Sequence, residues 1–322
     1  MAPCDNRSVI ITIVQVIGAL ALLYGGGEML VGGASVLARR VGISALAVGL
    51  TVVAFGTSMP ELVVSLDAAL AGASDISIGN VVGSNIANVA LILGLSSLIR
   101  PMAVEAKLVH VDAPLMVAVS LVLVGVLLNG DASRFEGSLL AVGLVVYILF
   151  TLWEARRESE VVRQELASAA PKAEAGAAVS TLGIVLGLGL LVAGGHLLVS
   201  AAIEMAQSLG VSQAAIGLTV VAVGTSIPEL ATSLVAALRR RGDIGVGNVV
   251  GSNIFNILGI LGVTALVHPL PMGDVTWFDL GTMVVLAGAV TTVLLVRHRV
   301  GRVEGIVLLA SFIAYTIHRL AG

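Results

Sequence analysis

Two stretches of the chain decide its fold, because they repeat each other. Residues 49–94 read GLTVVAFGTSMPELVVSLDAALAGASDISIGNVVGSNIANVALILG, and residues 217–262 read GLTVVAVGTSIPELATSLVAALRRRGDIGVGNVVGSNIFNILGILG. The two stretches are identical at 31 of 46 positions without a gap. Every residue of the first stretch therefore matches the residue 168 positions later in the second, and this distance is the offset of the repeat. The sequence therefore predicts two halves that share one fold.

The chain around this repeat is too apolar for a water-soluble protein. Its 322 residues are 57% apolar and only 11% charged, with a mean hydropathy of +1.07, whereas soluble domains carry roughly 25% charged residues. This composition excludes soluble enzymes and secreted disulfide scaffolds. A net charge of −3 gives no basic surface for nucleic acid, and the single cysteine, Cys4, allows no internal disulfide.

Long apolar runs predict ten membrane spans, because about 18 or more apolar residues are needed to cross a bilayer as a helix. Five spans per half is an odd number, so the second half must enter the membrane upside down. We therefore predict an all-α integral membrane protein, with ten transmembrane helices in two inverted five-helix repeats. The first repeat is 1–154, a linker covers 155–179, and the second repeat is 180–322. The spans are about 9–37, 44–70, 76–99, 108–129, 136–154, 180–205, 212–238, 244–267, 276–296 and 302–320.

The basic residues predict the orientation of these spans. When the loops are assigned alternately to the two sides, 14 of the 17 Lys and Arg residues fall on one side. Lys and Arg are enriched in cytoplasmic loops. We expect a multi-pass protein of the cell membrane with a cytoplasmic linker and with both termini extracellular or periplasmic.

Polar residues at membrane depth are the most closely matched part of the repeat. A carboxylate at the centre of a bilayer costs at least about 2.5–3.5 kcal/mol, so Glu61 and its counterpart Glu229 indicate a functional site. No Lys or Arg lies in the cores of the same spans to pair with them. The matched residues are Gly56, Thr57, Ser58, Pro60, Glu61, Gly79, Asn80, Gly83, Ser84, Asn85 and Asn88 in the first copy, and Gly224, Thr225, Ser226, Pro228, Glu229, Gly247, Asn248, Gly251, Ser252, Asn253 and Asn256 in the second.

The prolines predict broken helices at the centre of each repeat. Pro60 and Pro228 lack an N–H group and crowd the carbonyl four residues earlier, so we expect breaks that release the carbonyls of 54–57 and 222–225. Such backbone is tolerated at this depth only where it lines a cavity. Carboxylates, hydroxyls, amide oxygens and carbonyls form an all-oxygen site, which suits Ca²⁺ and Na⁺.

The motifs GTSxPEL and GNVVGSNIxN, present twice, resemble the α-repeats of the cation/calcium exchanger superfamily, and its prokaryotic sodium/calcium exchangers in particular. The resemblance implies that Glu61, Glu229, Thr57 and Thr225 bind Ca²⁺. The chain departs from the family pattern at Asn256, where many members carry Asp, and this makes a potassium-dependent variant less expected. The resemblance also implies sodium or proton sites at Ala54, Ser58, Ser84, Asn88, Ala222, Ser226, Ser252 and Asn256.

These features predict a secondary active antiporter that exchanges Na⁺ for Ca²⁺ by alternating access around the acidic site. A Ca²⁺/H⁺ antiporter that uses the same two glutamates stays open as the alternative. We expect no enzymatic activity and no cofactor, with the ions and the lipid bilayer as partners of a functional monomer. A membrane hydrolase built on Ser58 or Ser226 is disfavoured because no histidine lies at matching depth.

Glycines are abundant in the first and sixth spans, where they permit close approach of helices. The resemblance implies that these two spans slide across the rest of the protein. The glycines are Gly25, Gly26, Gly27, Gly32 and Gly33, and then Gly183, Gly187, Gly189, Gly194 and Gly195.

Overall fold

Helices account for nearly all of the chain that the computed structural model describes, which is residues 6–41, 44–72, 74–157, 177–208 and 224–321. Continuous apolar runs with few internal prolines explain why helices dominate. The α-helices in chain order are α1 (Asn6–Val41), α2 (Ala45–Val48), α3 (Ala54–Thr57), α4 (Met59–Leu70), α5 (Ser74–Ala87), α6 (Gly94–Ile99), α7 (Ala113–Val126), α8 (Arg134–Arg157), α9 (Ala177–Ser208), α10 (Ile227–Leu238), α11 (Gly242–Phe255), α12 (Gly262–Val267), α13 (Trp277–Arg297) and α14 (Arg302–Ala321).

Within the described residues, four short stretches between these α-helices are wound as π-helix, in which each turn holds one extra residue. Two of the four begin at Asn88 and Asn256, which are equivalent positions of the sequence repeat. Single π turns inside helices are frequent at functional sites, and these two lie in the region of the matched polar residues. The π-helical stretches are Gly49–Val53, Asn88–Leu93, Leu108–Asp112 and Asn256–Leu261.

Two short antiparallel strand pairs join the two halves of the chain. In one pair Met102 lies opposite Val300, and in the other Asp131 lies opposite Pro271. Each pair combines one strand from each half. Met102 matches Leu270 and Asp131 matches Arg299 in the sequence repeat, so the two pairs are equivalent. The strands are β1 (Met102–Ala103), which pairs with β4 (Arg299–Val300), and β2 (Asp131–Ala132), which pairs with β3 (Leu270–Pro271).

Seven helices in the described residues are long and apolar enough to cross a membrane. The count rises to eight if the bent pair Leu46–Thr57 and Met59–Leu70 is one span. Helix α10 has only 12 described residues, because the predicted span 212–238 begins in residues outside the described part of the chain. Helix α14 occupies the position of the tenth predicted span. The arrangement of ten helices in inverted repeats stays a prediction.

The segment Gly242–Val267 lies at the centre of the molecule. In its most apolar stretch of 18 residues, 89% of the residues are buried, compared with 22% in the same kind of stretch of Arg134–Ala155. Small residues allow this central position: a Cβ atom added to Gly251 would lie 2.8 Å from the carbonyl oxygen of Leu50 and 2.9 Å from the Cβ of Ala54. Helix α11 therefore packs directly against the bent segment of the first repeat.

Helices α1 and α9 contact each other through their backbones, as the glycines predict. A Cβ atom on Gly26 would lie 2.8 Å from the carbonyl oxygen of Gly187, and one on Gly187 would lie 2.7 Å from the backbone nitrogen of Leu30. These distances are shorter than the contacts that real Cβ atoms make, so only glycine fits at this crossing. The predicted close approach of the two helices is present in the structure.

The predicted linker is shorter at both ends than the sequence suggested. Helix α8 continues to Arg157 and helix α9 begins at Ala177. Both helices thus extend three residues into the predicted segment 155–179, and its remaining residues, 158–176, lie outside the described residues.

Candidate functional site

The site is built around two equivalent helix starts, each of which carries one of the glutamates. The bend between α3 and α4 measures 43° and lies at Ser58. Ser58 and Ser226 have nearly the same backbone angles, with φ of −83° and −88° and ψ of 6° and 8°. A proline follows each serine in the first helical turn, where its missing N–H costs nothing.

Glu61 and Glu229 lie in the first turns of α4 and α10. Both residues are buried, with 2% and 1% of their surface exposed. The N-terminal end of a helix carries a partial positive charge that favours a carboxylate. The helix ends therefore stabilise the two negative charges, which no lysine or arginine in the cores of these spans balances.

Each glutamate is held by the serine of the other repeat. The Ser58 hydroxyl donates to Oε1 of Glu229 at 3.0 Å, and the Ser226 hydroxyl donates to Oε1 of Glu61 at 3.1 Å. Because the two contacts are reciprocal, they bring both carboxylates into one site. The acidic residues and the serines, which the family resemblance assigns to different ions, thus lie together.

Two asparagines, Asn80 and Asn248, fix the helices that carry the glutamates. The Asn80 amide donates to the Ser65 hydroxyl at 2.9 Å and to the backbone carbonyl of Glu61 at 3.2 Å. Asn248 makes the same two contacts in the second repeat, at 3.1 Å with Ser233 and 3.4 Å with the carbonyl of Glu229. The side-chain oxygen of Asn80 accepts from the Thr225 hydroxyl at 3.4 Å. The side-chain oxygen of Asn248 accepts from the Thr57 hydroxyl at 3.2 Å.

Four further asparagines form a second reciprocal network. The amides of Asn85 and Asn253 each donate to the backbone carbonyl of the other, at 3.2 and 3.3 Å. The amide of Asn88 donates to Oδ1 of Asn253 at 3.0 Å, and the amide of Asn256 donates to Oδ1 of Asn85 at 2.9 Å. These contacts fix the amide groups of Asn88 and Asn256, so that nitrogen points to the network and oxygen points away from it.

A set of buried oxygen atoms receives no hydrogen bond from any described residue. Buried polar oxygens in proteins almost always have a donor or bind an ion or water. A matched set of oxygens from both repeats is the donor set that a hard cation requires. The atoms are Oε2 of Glu61, Oε2 of Glu229, Oδ1 of Asn88, Oδ1 of Asn256 and Oγ of Ser252.

The structure differs from the sequence prediction at Ala54. Its carbonyl was expected to be released by the helix break, but it accepts the backbone N–H of Ser58 at 3.1 Å. The reason is that the helical hydrogen bond spans the bend instead of ending before it. The hydroxyl oxygens of Ser84 and Ser226 lie 3.3 Å apart, while the predicted ligand Ala222 lies outside the described residues.

Four of the matched asparagines have roles that only the structure reveals, and they are Asn80, Asn85, Asn248 and Asn253. The sequence signal that marks them is their identity in both copies of the repeat, within buried helices. The π-helical turns at Asn88 and Asn256 have no comparable signal, because nothing in the local sequence distinguishes them from α-helix.

Replacing Ser226 by alanine should weaken Ca²⁺ binding about 10- to 150-fold, because a hydrogen bond to a charged group contributes about 1.5–3 kcal/mol. The measurement is the half-saturating Ca²⁺ concentration of purified protein. Ser120→Ala is the matched control, since the buried Ser120 hydroxyl donates to the Met116 carbonyl of its own helix at 2.8 Å. Equal half-saturation in the two variants would contradict a role for Ser226.

Comparison with known proteins identifies relatives for both halves of the chain. The sequence model of the family described as "Sodium/calcium exchanger protein" matches residues 11–153 and again residues 179–321. The chain is 35% identical over 266 residues to the inner membrane protein YrbG of Escherichia coli, covering 80% of the chain and 81% of YrbG. It is 32% identical over 299 residues to the sodium/calcium exchanger MaX1 of Methanosarcina acetivorans, covering 81% and 85%.

The fold also matches solved structures. The sodium-calcium exchanger NCX_Mj, soaked with 2.5 mM Na⁺ and 0.1 mM Ca²⁺, superposes with a TM-score of 0.83 at 31% sequence identity. The match covers 96% of the chain and 98% of the solved structure. The likeness therefore includes the whole helical arrangement rather than the repeated motifs alone.

Proposed function

Because the chain belongs to the family of sodium/calcium exchanger proteins, we propose that it is a secondary active antiporter that exchanges Na⁺ for Ca²⁺ across the cell membrane. Family membership makes it a multi-pass membrane transporter of cations. The proposal includes ten spans in two inverted repeats, external termini and a cytoplasmic linker. The observation that carries the ion assignment is the matched set of buried oxygens from both repeats.

We assign Ca²⁺ to the space between Glu61 and Glu229. One oxygen of each carboxylate is fixed by a serine, and the other has no donor among the described residues. Carboxylate oxygens are the preferred ligands of Ca²⁺, which takes six to eight oxygens in all. Thr57 and Thr225, each four residues before a glutamate, complete the shell in this proposal.

We assign Na⁺ to positions beside the Ca²⁺ site. Two carboxylates balance one Ca²⁺, whereas three Na⁺ leave a charge of +1. Both kinds of ion need the same carboxylates, and repulsion between cations in a buried site is strong because the effective dielectric constant is low. Occupation by Na⁺ and by Ca²⁺ would therefore exclude each other. The Na⁺ ligands in this proposal are Ala54, Ser58, Ser84, Asn88, Ala222, Ser226, Ser252 and Asn256.

Access to the site would alternate between the two sides of the membrane. The tightly packed pair α1 and α9 contacts the rest of the protein next to the bend, where a Cβ atom on Gly56 would lie 2.6 Å from Leu188 of α9. In this proposal α1 and α9 move together across the core, and the core keeps the ligands in place.

A vesicle assay with separate gradients tests the coupling ion. Purified protein is reconstituted, and uptake of labelled Ca²⁺ is measured with an outward Na⁺ gradient at equal pH on both sides. The second arm imposes a pH gradient in sodium-free buffer. We expect rapid uptake in the first arm and none in the second. Uptake driven by the pH gradient without Na⁺ would replace the proposal with Ca²⁺/H⁺ exchange.

Replacing Asn256 by aspartate should make transport depend on pH. The Asn256 amide donates to Oδ1 of Asn85 at 2.9 Å, and a carboxylate there would face that oxygen unless it carried a proton. Exchange by the variant should vary more steeply than that of the parent between pH 6 and 8, measured in sodium-loaded vesicles. Superimposable pH profiles would place Asn256 outside the ion pathway.

A further inference from the structure

A second buried carboxylate, Asp279, has a complete set of partners in the second repeat. Only 3% of Asp279 is exposed. It accepts hydrogen bonds from the backbone and hydroxyl of Thr276, both at 2.8 Å, and from the Tyr315 hydroxyl at 2.9 Å. The guanidinium of Arg319 lies 3.3 Å away and balances its charge.

The first repeat contains the counterpart of this cluster. Tyr147 matches Tyr315 and Thr151 matches Arg319 at the offset of the repeat, which is 168 residues. Asp112 matches Asp279 at 167 residues, which is one residue fewer. The smaller offset is structural, because it also relates Met116 to Met283. Asn253 donates to the sulfur of Met116 at 3.5 Å and Asn85 donates to that of Met283 at 3.8 Å, so the two methionines occupy equivalent places.

The π-helical stretch Leu108–Asp112 explains the difference of one residue. A π turn holds one more residue than an α turn, and the second repeat begins the same helix as regular α-helix at Trp277. Asp112 therefore lies where Asp279 lies in the other half.

In the first repeat the compensating guanidinium is replaced by a threonine. Asp112 is completely buried, and neither of its carboxylate oxygens has a hydrogen-bond donor among the residues that the structure describes. The hydroxyls of Tyr147 and Thr151 belong to residues that are 5% and 0% exposed, and they have no hydrogen-bond partner outside this pair among the described residues. Tyr147 lies close to both Asp112 and Thr151, so these groups share one polar pocket.

Among the charged side chains that the structure describes around this pocket, one positive charge faces two negative charges. Lys107 and Glu154 act on Asp112, and the Lys107 ammonium lies 3.3 Å from the Glu154 carboxylate. One lysine balances only one of the two carboxylates. An unbalanced carboxylate in a buried position is strongly unfavourable and normally acquires a proton, an ion or a partner.

The other elements packed around Asp112 direct their titratable groups elsewhere. From α11, Asp243 accepts the backbone N–H of Glu105 at 2.9 Å. From the end of α13, His298 packs its ring against His110 at 5.7 Å. Thr291 of α13 donates to the carbonyl of Ala113 at 3.1 Å.

We propose that Asp112, Tyr147, Thr151 and Glu154 form an accessory cation site that takes one monovalent hard cation, Na⁺ or a proton, in place of the guanidinium found in the second repeat. Carboxylate and hydroxyl oxygens suit such a cation. The hydrogen bonds around Glu61 and Glu229 involve none of these four residues. In the proposed orientation the site faces the cytoplasm, so its occupant is a cytoplasmic cation.

The test measures thermal unfolding of the full chain in detergent, in the double variant Glu61→Gln, Glu229→Gln, which disables the proposed transport site. One arm raises NaCl from 1 to 100 mM at pH 8 against N-methylglucamine chloride. The other arm lowers the pH from 8 to 6 without Na⁺. We expect the midpoint to rise by about 2 °C or more in one arm, because a cation that binds only the folded state stabilises it. The arm that responds identifies the cation.

Two further substitutions in this background decide the assignment. Asp112→Asn should remove the response, and Thr151→Arg should remove it while raising the midpoint at low salt, because it supplies the missing guanidinium. Glu136→Gln, on a residue that accepts from Ser133 at the start of α8, should keep the response. A response that is unchanged by Asp112→Asn, or a parent that responds in neither arm, would overturn the proposal. Failure of the transport assignment would appear separately, as Ca²⁺ exchange that persists in the double variant.

Discussion

Calcium exchange should fall by about 10-fold to 150-fold or more when either Glu61 or Glu229 is replaced by glutamine. Each substitution removes one of the two negative charges that balance Ca²⁺, and loss of a charged ligand contact is worth about 1.5–3 kcal/mol or more. The fold should survive, because the glutamine oxygen can still accept from the serine of the other repeat. The measurement is uptake of labelled Ca²⁺ into sodium-loaded vesicles, with the amount of reconstituted protein determined in each preparation.

The control for this prediction is Glu136→Gln, which removes a carboxylate outside the site. Glu136 accepts hydrogen bonds from the backbone and hydroxyl of Ser133 at 2.8 and 2.7 Å, at the start of α8. Its loss should leave exchange close to that of the parent. If Glu61→Gln or Glu229→Gln transports Ca²⁺ as well as this control does, the glutamates do not bind the transported ion.

Adding a single methyl group at the crossing of α1 and α9 should destabilise the protein markedly. In Gly26→Ala the new carbon would lie 2.8 Å from the Gly187 carbonyl oxygen and 2.9 Å from the Leu191 nitrogen. Both contacts are to backbone, which cannot rotate away, so the helices must separate. Overpacking of this kind costs about 1–3 kcal/mol. Thermal unfolding in detergent should show a lower midpoint, and Gly187→Ala should behave in the same way.

Neighbouring glycines of the same two helices provide the controls. A Cβ atom added to Gly25 or Gly189 would meet no atom within 4 Å beyond its own helix backbone and chain neighbours. Alanine there should be neutral or stabilising by up to about 1 kcal/mol, because alanine favours helix over glycine. Equal midpoints for Gly26→Ala and Gly25→Ala would show that the two helices tolerate a wider crossing.

The sequence was sufficient to mark the candidate site residues and to predict the bend beside them. Pro60 and Glu61, which recur as Pro228 and Glu229, can be interpreted from the local sequence alone. A proline interrupts the hydrogen bonds of any helix, and a charge within an apolar span indicates a functional site. The structure places the bend at Ser58, immediately before this motif. The close contact of α1 and α9 was also predictable, because glycines at this density have few other uses in a membrane helix.

The partners of each polar group could not be read from the sequence. The Ser58 side chain forms its hydrogen bond with Glu229 and not with a residue of its own helix. The helical periodicity of a sequence does not reveal which residues of the two halves contact each other. The π turn at Asn88 and the retained hydrogen bond at Ala54 depend on tertiary packing, which local propensity does not encode. The sequence therefore indicates the candidate residues, and the structure shows which of them contact each other.

The reciprocal bonds between the serines and the glutamates have a consequence for the origin of the gene. Neither half of the chain contains a complete set of contacts, because the serine of each half serves the glutamate of the other. A half-length ancestor could have built the same site only as a homodimer of two identical copies. Joining two such copies in one chain would allow each half to differ from the other, as the arginine at position 319 and the threonine at position 151 do.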